Sequence, residues 1–168
     1  LGLPIFHADI PQAFVTALLK EDVWLRLPPG LSIKKAGESH KIVKLLRALY
    51  GLRQSPQTFN QELVKFFTEG EIGITFKQSS ADSCLFYYRD EKTDKFVLVA
   101  SEVDDLIITG TDEAAIAKLK AGLVKRFNID DSKWEELASF LGINISYEHR
   151  TGRLEMDISQ KVKTMLDE

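Results

Sequence analysis

The sequence predicts an α+β fold, an antiparallel sheet with helices packed on one face. Three observations predict it. Apolar, β-prone runs at residues 84–88, 96–100 and 106–109 follow one another through hairpin-length turns. Two longer stretches, residues 56–67 and 111–127, carry apolar residues at helical spacing instead. The chain has 168 residues, 44% of them hydrophobic, enough for one sizeable core. The whole length, 1–168, is read as one domain, with strands outnumbering helices.

Taken in order, Ile5-Phe6-His7-Ala8-Asp9 reads as a strand that ends in an acid. Residues 12–20 read as a short helix, with Pro11 tolerated in its first turn. Residues 23–27 alternate apolar and polar around Trp24 and Arg26, as a short strand does. Residues 31–40, bounded by Pro28-Pro29-Gly30, read as the main internal loop. In residues 41–49 the apolar positions 42, 43, 45, 46 and 49 fit a helix and also the start of a strand. Ser55-Pro56 opens the next helix, with Ser as N-cap and Pro in first position, and Phe59, Leu63, Phe66 and Phe67 form its buried stripe. Residues 91–94 form a turn between strands. Thr111 caps the helix at 111–127, whose inner side carries Ile116, Leu119, Leu123 and Phe127. Residues 140–147 and 153–158 flank the turn Arg150-Thr151-Gly152, and a last helix begins near Ile158.

Composition limits the function classes. No apolar run approaches the roughly 20 residues of a membrane span. Lys and Arg total 22 against 25 Asp and Glu, a net charge of −3, so the chain lacks the basic excess of a free-standing nucleic-acid binder. The lone Cys84 cannot form an internal disulfide, which predicts an intracellular chain of unspecified compartment. The absence of an initial Met, and the abrupt start in strand-like text, predict a piece of a longer polypeptide. His7, His40 and His149 show no metal-ligand spacing and read as surface or satisfied histidines. Trp24 and Trp134 read as core.

The sharpest chemical feature is Val103-Asp104-Asp105, between two apolar strands. Adjacent carboxylates repel unless a cation separates them, and hard oxygen donors suit Mg²⁺. On the dipeptide alone a polar β-turn is the simpler reading. Asp9 closes another strand and taken alone fits a helix cap. If the two segments pair, three carboxylates converge, the layout of a two-metal phosphoryl-transfer site.

At this point the sequence resembles a known family, the reverse-transcriptase region of copia-type LTR retrotransposon polyproteins. The residues that carry the resemblance are Asp9 to Phe14; residues 22–30, ending Pro28-Pro29-Gly30; Leu49-Tyr50-Gly51-Leu52-Arg53-Gln54-Ser55-Pro56; Ser80-Ala81-Asp82-Ser83-Cys84-Leu85-Phe86; Val103-Asp104-Asp105 followed by Ile107-Ile108-Thr109-Gly110; and Phe140-Leu141-Gly142-Ile143. Each motif is a weak signal, but the six occur in the family's order along nearly the whole chain. The resemblance implies a polymerase palm that uses Mg²⁺ or Mn²⁺, a dNTP and an RNA/DNA template-primer. It implies Asp9 and Asp104 as main metal ligands with Asp105 close by, Phe14 as a steric gate against a ribose 2′-OH, and Tyr50, Gly51, Arg53, Gln54, Ser55 and Pro56 lining the nucleotide and template pocket. Gly51 is expected to allow close backbone approach and Arg53 to reach phosphate.

Two departures stand out. Glu102 occupies the position where the family has Tyr before Val-Asp-Asp, and Pro11 follows close on Asp9. By strand alternation Glu102 is expected to point the same way as Asp104. The family's basic fingers, thumb and RNase H regions are expected to lie outside this chain, making the isolated piece a weak or inactive polymerase. The alternative is a catalytically silent, repurposed palm remnant, acting as a structural or interaction subunit of a larger assembly.

Overall fold

The computed structural model describes residues 2–31, 33–35 and 38–166. The chain carries, in order, β1 (Ile5–Asp9), α1 (Ala13–Thr16), β2 (Leu18–Arg26), β3 (Ile33–Lys35), β4 (Glu38–His40), β5 (Ile42–Arg47) and α2 (Ser55–Thr68). There follow β6 (Lys77–Gln78), β7 (Leu85–Arg89), β8 (Phe96–Glu102), β9 (Asp105–Gly110) and α3 (Glu113–Phe127). After a 3₁₀ turn at Asp131–Lys133 come β10 (Glu135–Glu136), β11 (Ser139–Phe140), β12 (Ile143–Glu148), β13 (Arg153–Asp157) and α4 (Ser159–Leu166). The mixture of helices and antiparallel strands is α+β, the class the sequence predicts. Contacts group the chain into two compact units, Leu1–Pro11 with Val64–Glu168, and Gln12–Leu63.

The first unit is built on a six-stranded sheet of order β10-β1-β9-β8-β7-β6, with every pair antiparallel. Side chains alternate across it as a pleated strand requires. Ala8, Leu106, Ile108, Val97, Val99 and Phe86 are buried on one face. Against them lie the inner residues of α3 and the end of α2: Phe67 stacks on Phe86 with ring centroids 4.5 Å apart, and Phe66 meets Phe127 edge-on at 5.3 Å. The stripe expected on each helix is buried, at Phe59, Leu63, Phe66 and Phe67 and at Ile116, Leu119, Leu123 and Phe127. A separate three-stranded sheet, β11-β12-β13, follows in the same unit.

Gly110 ends β9 where the neighbouring strand passes closest. A Cβ there would stand 2.3 Å from the Phe96 carbonyl oxygen and 2.8 Å from the Val97 Cα. Both are backbone atoms of the paired strand and cannot swing away. Gly110→Ala is therefore expected to destabilise the protein by about 1–3 kcal/mol, read as a lower thermal midpoint. At the β7–β8 turn, the Lys92 amide and the Thr93 hydroxyl both donate to Asp90 and hold its carboxyl below the usual range.

The second unit pairs β2 with β5 and β3 with β4, both antiparallel. Here long-range pairing overrides one expectation and decides another. The helix expected over 12–20 shrinks to α1, and the stretch 41–49, whose apolar spacing fits a helix or a strand start, forms the strand β5. The Ala48 amide donates to the Ala17 carbonyl at 2.9 Å, and the ladder runs on to Arg26↔Ile42. Pairing between distant segments outweighs local helix spacing. The loop expected at 31–40 contains the β3–β4 hairpin, while its residues 32, 36 and 37 lie outside the described ones.

Smaller corrections follow from side-chain hydrogen bonds. Asp112, not Thr111, caps α3, accepting from the Ala115 amide at 3.0 Å; the Thr111 hydroxyl accepts from the Phe96 amide instead. Ser55 does not cap α2, because its hydroxyl donates to the Leu49 carbonyl and accepts from the Leu49 amide. The strand expected over 140–147 breaks at Leu141-Gly142, both at positive φ. Trp24 is 62% exposed rather than core.

Candidate metal site

The acidic residues are positioned by backbone pairing in the first unit. Asp9, at the end of β1, stands directly opposite Asp105, the first residue of β9. Asp104 lies in the two-residue turn Val103-Asp104 that joins the paired Glu102 and Asp105. The Ile10 amide donates to the Asp104 carbonyl at 2.8 Å, tying the exit of β1 to the turn itself. Residues 9, 104 and 105 therefore share one corner of the sheet. Directly opposed residues hold their Cβ atoms about 4.5–5.5 Å apart. Asp9 and Asp105 alternate with the buried Ala8 and Leu106, so they occupy the face away from the packed core.

The turn interrupts the period of two on which strand alternation relies, and Glu102 stands paired opposite Asp105. Acids thus flank Asp105 on both neighbouring strands, a destabilising arrangement by itself. Relief comes from a residue the sequence reading set aside. His7 Nε2 lies 2.8 Å from Asp105 Oδ1, with the two side chains 25% and 28% exposed. The signal was available in part, since residues 7 and 9 of one strand share a face. Of the other histidines, His149 bonds Glu136, and the side chain of His40 lies outside the described ones.

The turn is strained. Val103 has φ 54°, a region that a β-branched residue rarely enters. Val103→Gly removes that strain and is expected to raise stability by about 1 kcal/mol, visible as a higher denaturant midpoint with unchanged slope.

The donors fit a hard divalent cation in type, being carboxylate oxygens on one corner of a rigid sheet. Their side chains are not gathered into a finished cage. Among the described residues, no group of three or more His, Cys, Asp or Glu is arranged to hold a metal ion.

The remaining expected site residues belong to the second unit. Phe14 lies in α1, with its ring centroid 4.6 Å from that of Tyr50 and 6.3 Å from that of Phe59. Residues Leu49 to Leu52 form a turn closed by the Leu52 amide on the Leu49 carbonyl, and Gly51 supplies its φ of 93°. Open space surrounds the missing Gly51 Cβ, and the turn's positive φ by itself favours the glycine. Ser55 is buried and clasps Leu49, Gln54 accepts through its carbonyl from Thr58, and Arg53 and Pro56 are exposed.

Comparison with known proteins decides the lineage. The family model described as reverse transcriptase (RNA-dependent DNA polymerase) matches residues 2–166. The chain belongs to the reverse transcriptase family. Relatives include the Retrovirus-related Pol polyprotein from transposon RE1 of Arabidopsis thaliana, 36% identical over 83% of this chain and 9% of that protein. The Retrovirus-related Pol polyprotein from transposon TNT 1-94 of Nicotiana tabacum is 28% identical over 99% of the chain and 12% of its own length. The Truncated transposon Ty1-A Gag-Pol polyprotein of Saccharomyces cerevisiae is 30% identical over 86% and 11%. These relatives agree with the copia-type resemblance read from the motifs. This reverse transcriptase segment spans about a tenth of the length of the polyproteins it matches. No helix among its described residues is long and apolar enough to cross a membrane.

Proposed function

We propose that this segment is the palm of an RNA-directed DNA polymerase, with Asp9, Asp104 and Asp105 as the ligands of two Mg²⁺ or Mn²⁺ ions. The observation that carries the reading is the register of β1 against β9, which sets Asp9 opposite Asp105 beside the turn that holds Asp104. When bound, such ions activate a primer 3′-hydroxyl and stabilise departing pyrophosphate during in-line transfer. The protein's part is to bring its carboxylates to one corner of the sheet by backbone pairing, where the side chains would close on the ions. Phe14 acts as the steric gate, its ring backed by Tyr50, and selects against a ribose 2′-OH. Tyr50, Gly51, Arg53, Gln54, Ser55 and Pro56 shape the nucleotide and template pocket, with the exposed Arg53 guanidinium directed to phosphate.

One observation favours a second reading, the silent remnant. Glu102 adds a carboxylate beside Asp105, which repels a nucleic-acid backbone. The two readings separate by primer extension on an RNA template, using the polymerase-length protein that contains this segment, with Mg²⁺ or Mn²⁺ present. Template-dependent product is expected. Its absence overturns the polymerase reading in favour of the remnant.

A further inference from the structure

We infer that His7 is a positioning residue for Asp105, orienting that carboxylate for a divalent cation. The inference rests on the metal-site reading above and assigns a role to a residue outside the acidic trio. His7 pairs in register with Ile107, and Asp105 is therefore its diagonal neighbour on the same face. Diagonal positions lie about 7–8 Å apart, within reach of a ring and beyond a short side chain. The imidazole spans the gap and brings Nε2 to 2.8 Å from Oδ1. An ionised carboxylate only accepts, so Nε2–H is the donor.

The ring is itself held. Phe140 meets it edge-on with centroids 6.2 Å apart, and β10 pairs along its strand, with Glu135 opposite His7. A fixed donor on Oδ1 stops the carboxylate from rotating and leaves Oδ2 to the cation. Hydrogen bonds of this kind orient ligating carboxylates in metal sites, and their loss costs roughly 10–100-fold in metal affinity.

The test titrates Mn²⁺ into the full 168-residue chain and reads the dissociation constant from the free-ion EPR signal. His7→Gln keeps a nitrogen donor at a similar reach. His7→Phe keeps a ring against Phe140 but has no donor. The unaltered chain and His7→Gln are expected to bind alike, and His7→Phe to bind roughly 10–100-fold more weakly. Equal binding by His7→Phe overturns the inference, as does His7→Gln binding as weakly as His7→Phe. Binding that Asp104→Asn abolishes but His7→Phe spares rejects the role of His7 alone. No binding by the unaltered chain rejects the metal site and this role together. A metal-free measurement guards against misfolded variants: the imidazole ¹⁵N signals of His7 are expected to move in Asp105→Ala, and unchanged signals overturn the inference.

Discussion

Replacing Asp104 with Asn is expected to remove metal-linked stabilisation and to cut nucleotide incorporation by more than about a hundredfold, beyond the loss typical of a ligand's supporting partner. The substitution leaves the turn alone. Asn is at home in turns, and the 2.8 Å bond that Asp104 makes to Ile10 uses its backbone carbonyl. What changes is one charge and one oxygen donor. In the unaltered chain, Mn²⁺ at ten times its dissociation constant is worth about 1.4 kcal/mol to the folded state, because only the folded state holds the site. For a chain of this size that raises the thermal midpoint by about 3–6 °C. Asp104→Asn should melt at one temperature with or without the ion. An equal rise in both proteins would remove Asp104 from the ligand set. Incorporation is then compared in the polymerase-length protein, where undiminished extension by the variant would do the same.

The largest loss of stability is expected at Phe67. Its side chain is fully buried, with ring centroids 5.3 Å from Phe66, 5.3 Å from Phe76 and 4.5 Å from Phe86. Phe67→Ala deletes the ring on which these three converge and leaves a cavity bounded by a helix and a strand, neither of which can collapse into it. The cost is about 3–5 kcal/mol, against a total of about 5–15 kcal/mol for an ordinary domain. The thermal midpoint should fall by about 6–20 °C. Chemical denaturation of the two proteins checks the figure, and a change under 1 kcal/mol would contradict this packing.

Much of the architecture was legible because local and long-range preferences agree. The hairpin 96–110 combines β-prone runs with an acidic turn, and α3 carries its buried apolar residues at helical spacing. Where they disagree, the sequence misleads. Residues 41–49 carry a helical apolar spacing that the ladder from β2 overrides. The break at Leu141-Gly142 depends on backbone dihedrals that an unbroken apolar motif conceals. The acidic corner was legible through its residue types, but its geometry was not. The alignment of Glu102 with Asp105 follows from where the two-residue turn falls, and the bond from His7 to Asp105 joins positions 98 residues apart. Nothing in the spacing of histidines marks such a diagonal contact.

The position of β1 has a consequence for how the site comes into being. It is the first strand in the chain, yet it lies inside the sheet, between β9 and β10. A ribosome has already released the segment bearing Asp9 long before its partner at 105 is synthesised. Closing so long a loop is entropically costly and belongs to slow, high-contact-order folding. The hairpin bearing Asp104 and Asp105 is built from contacts local in sequence, whereas Asp9 reaches the same corner only through pairing distant in sequence.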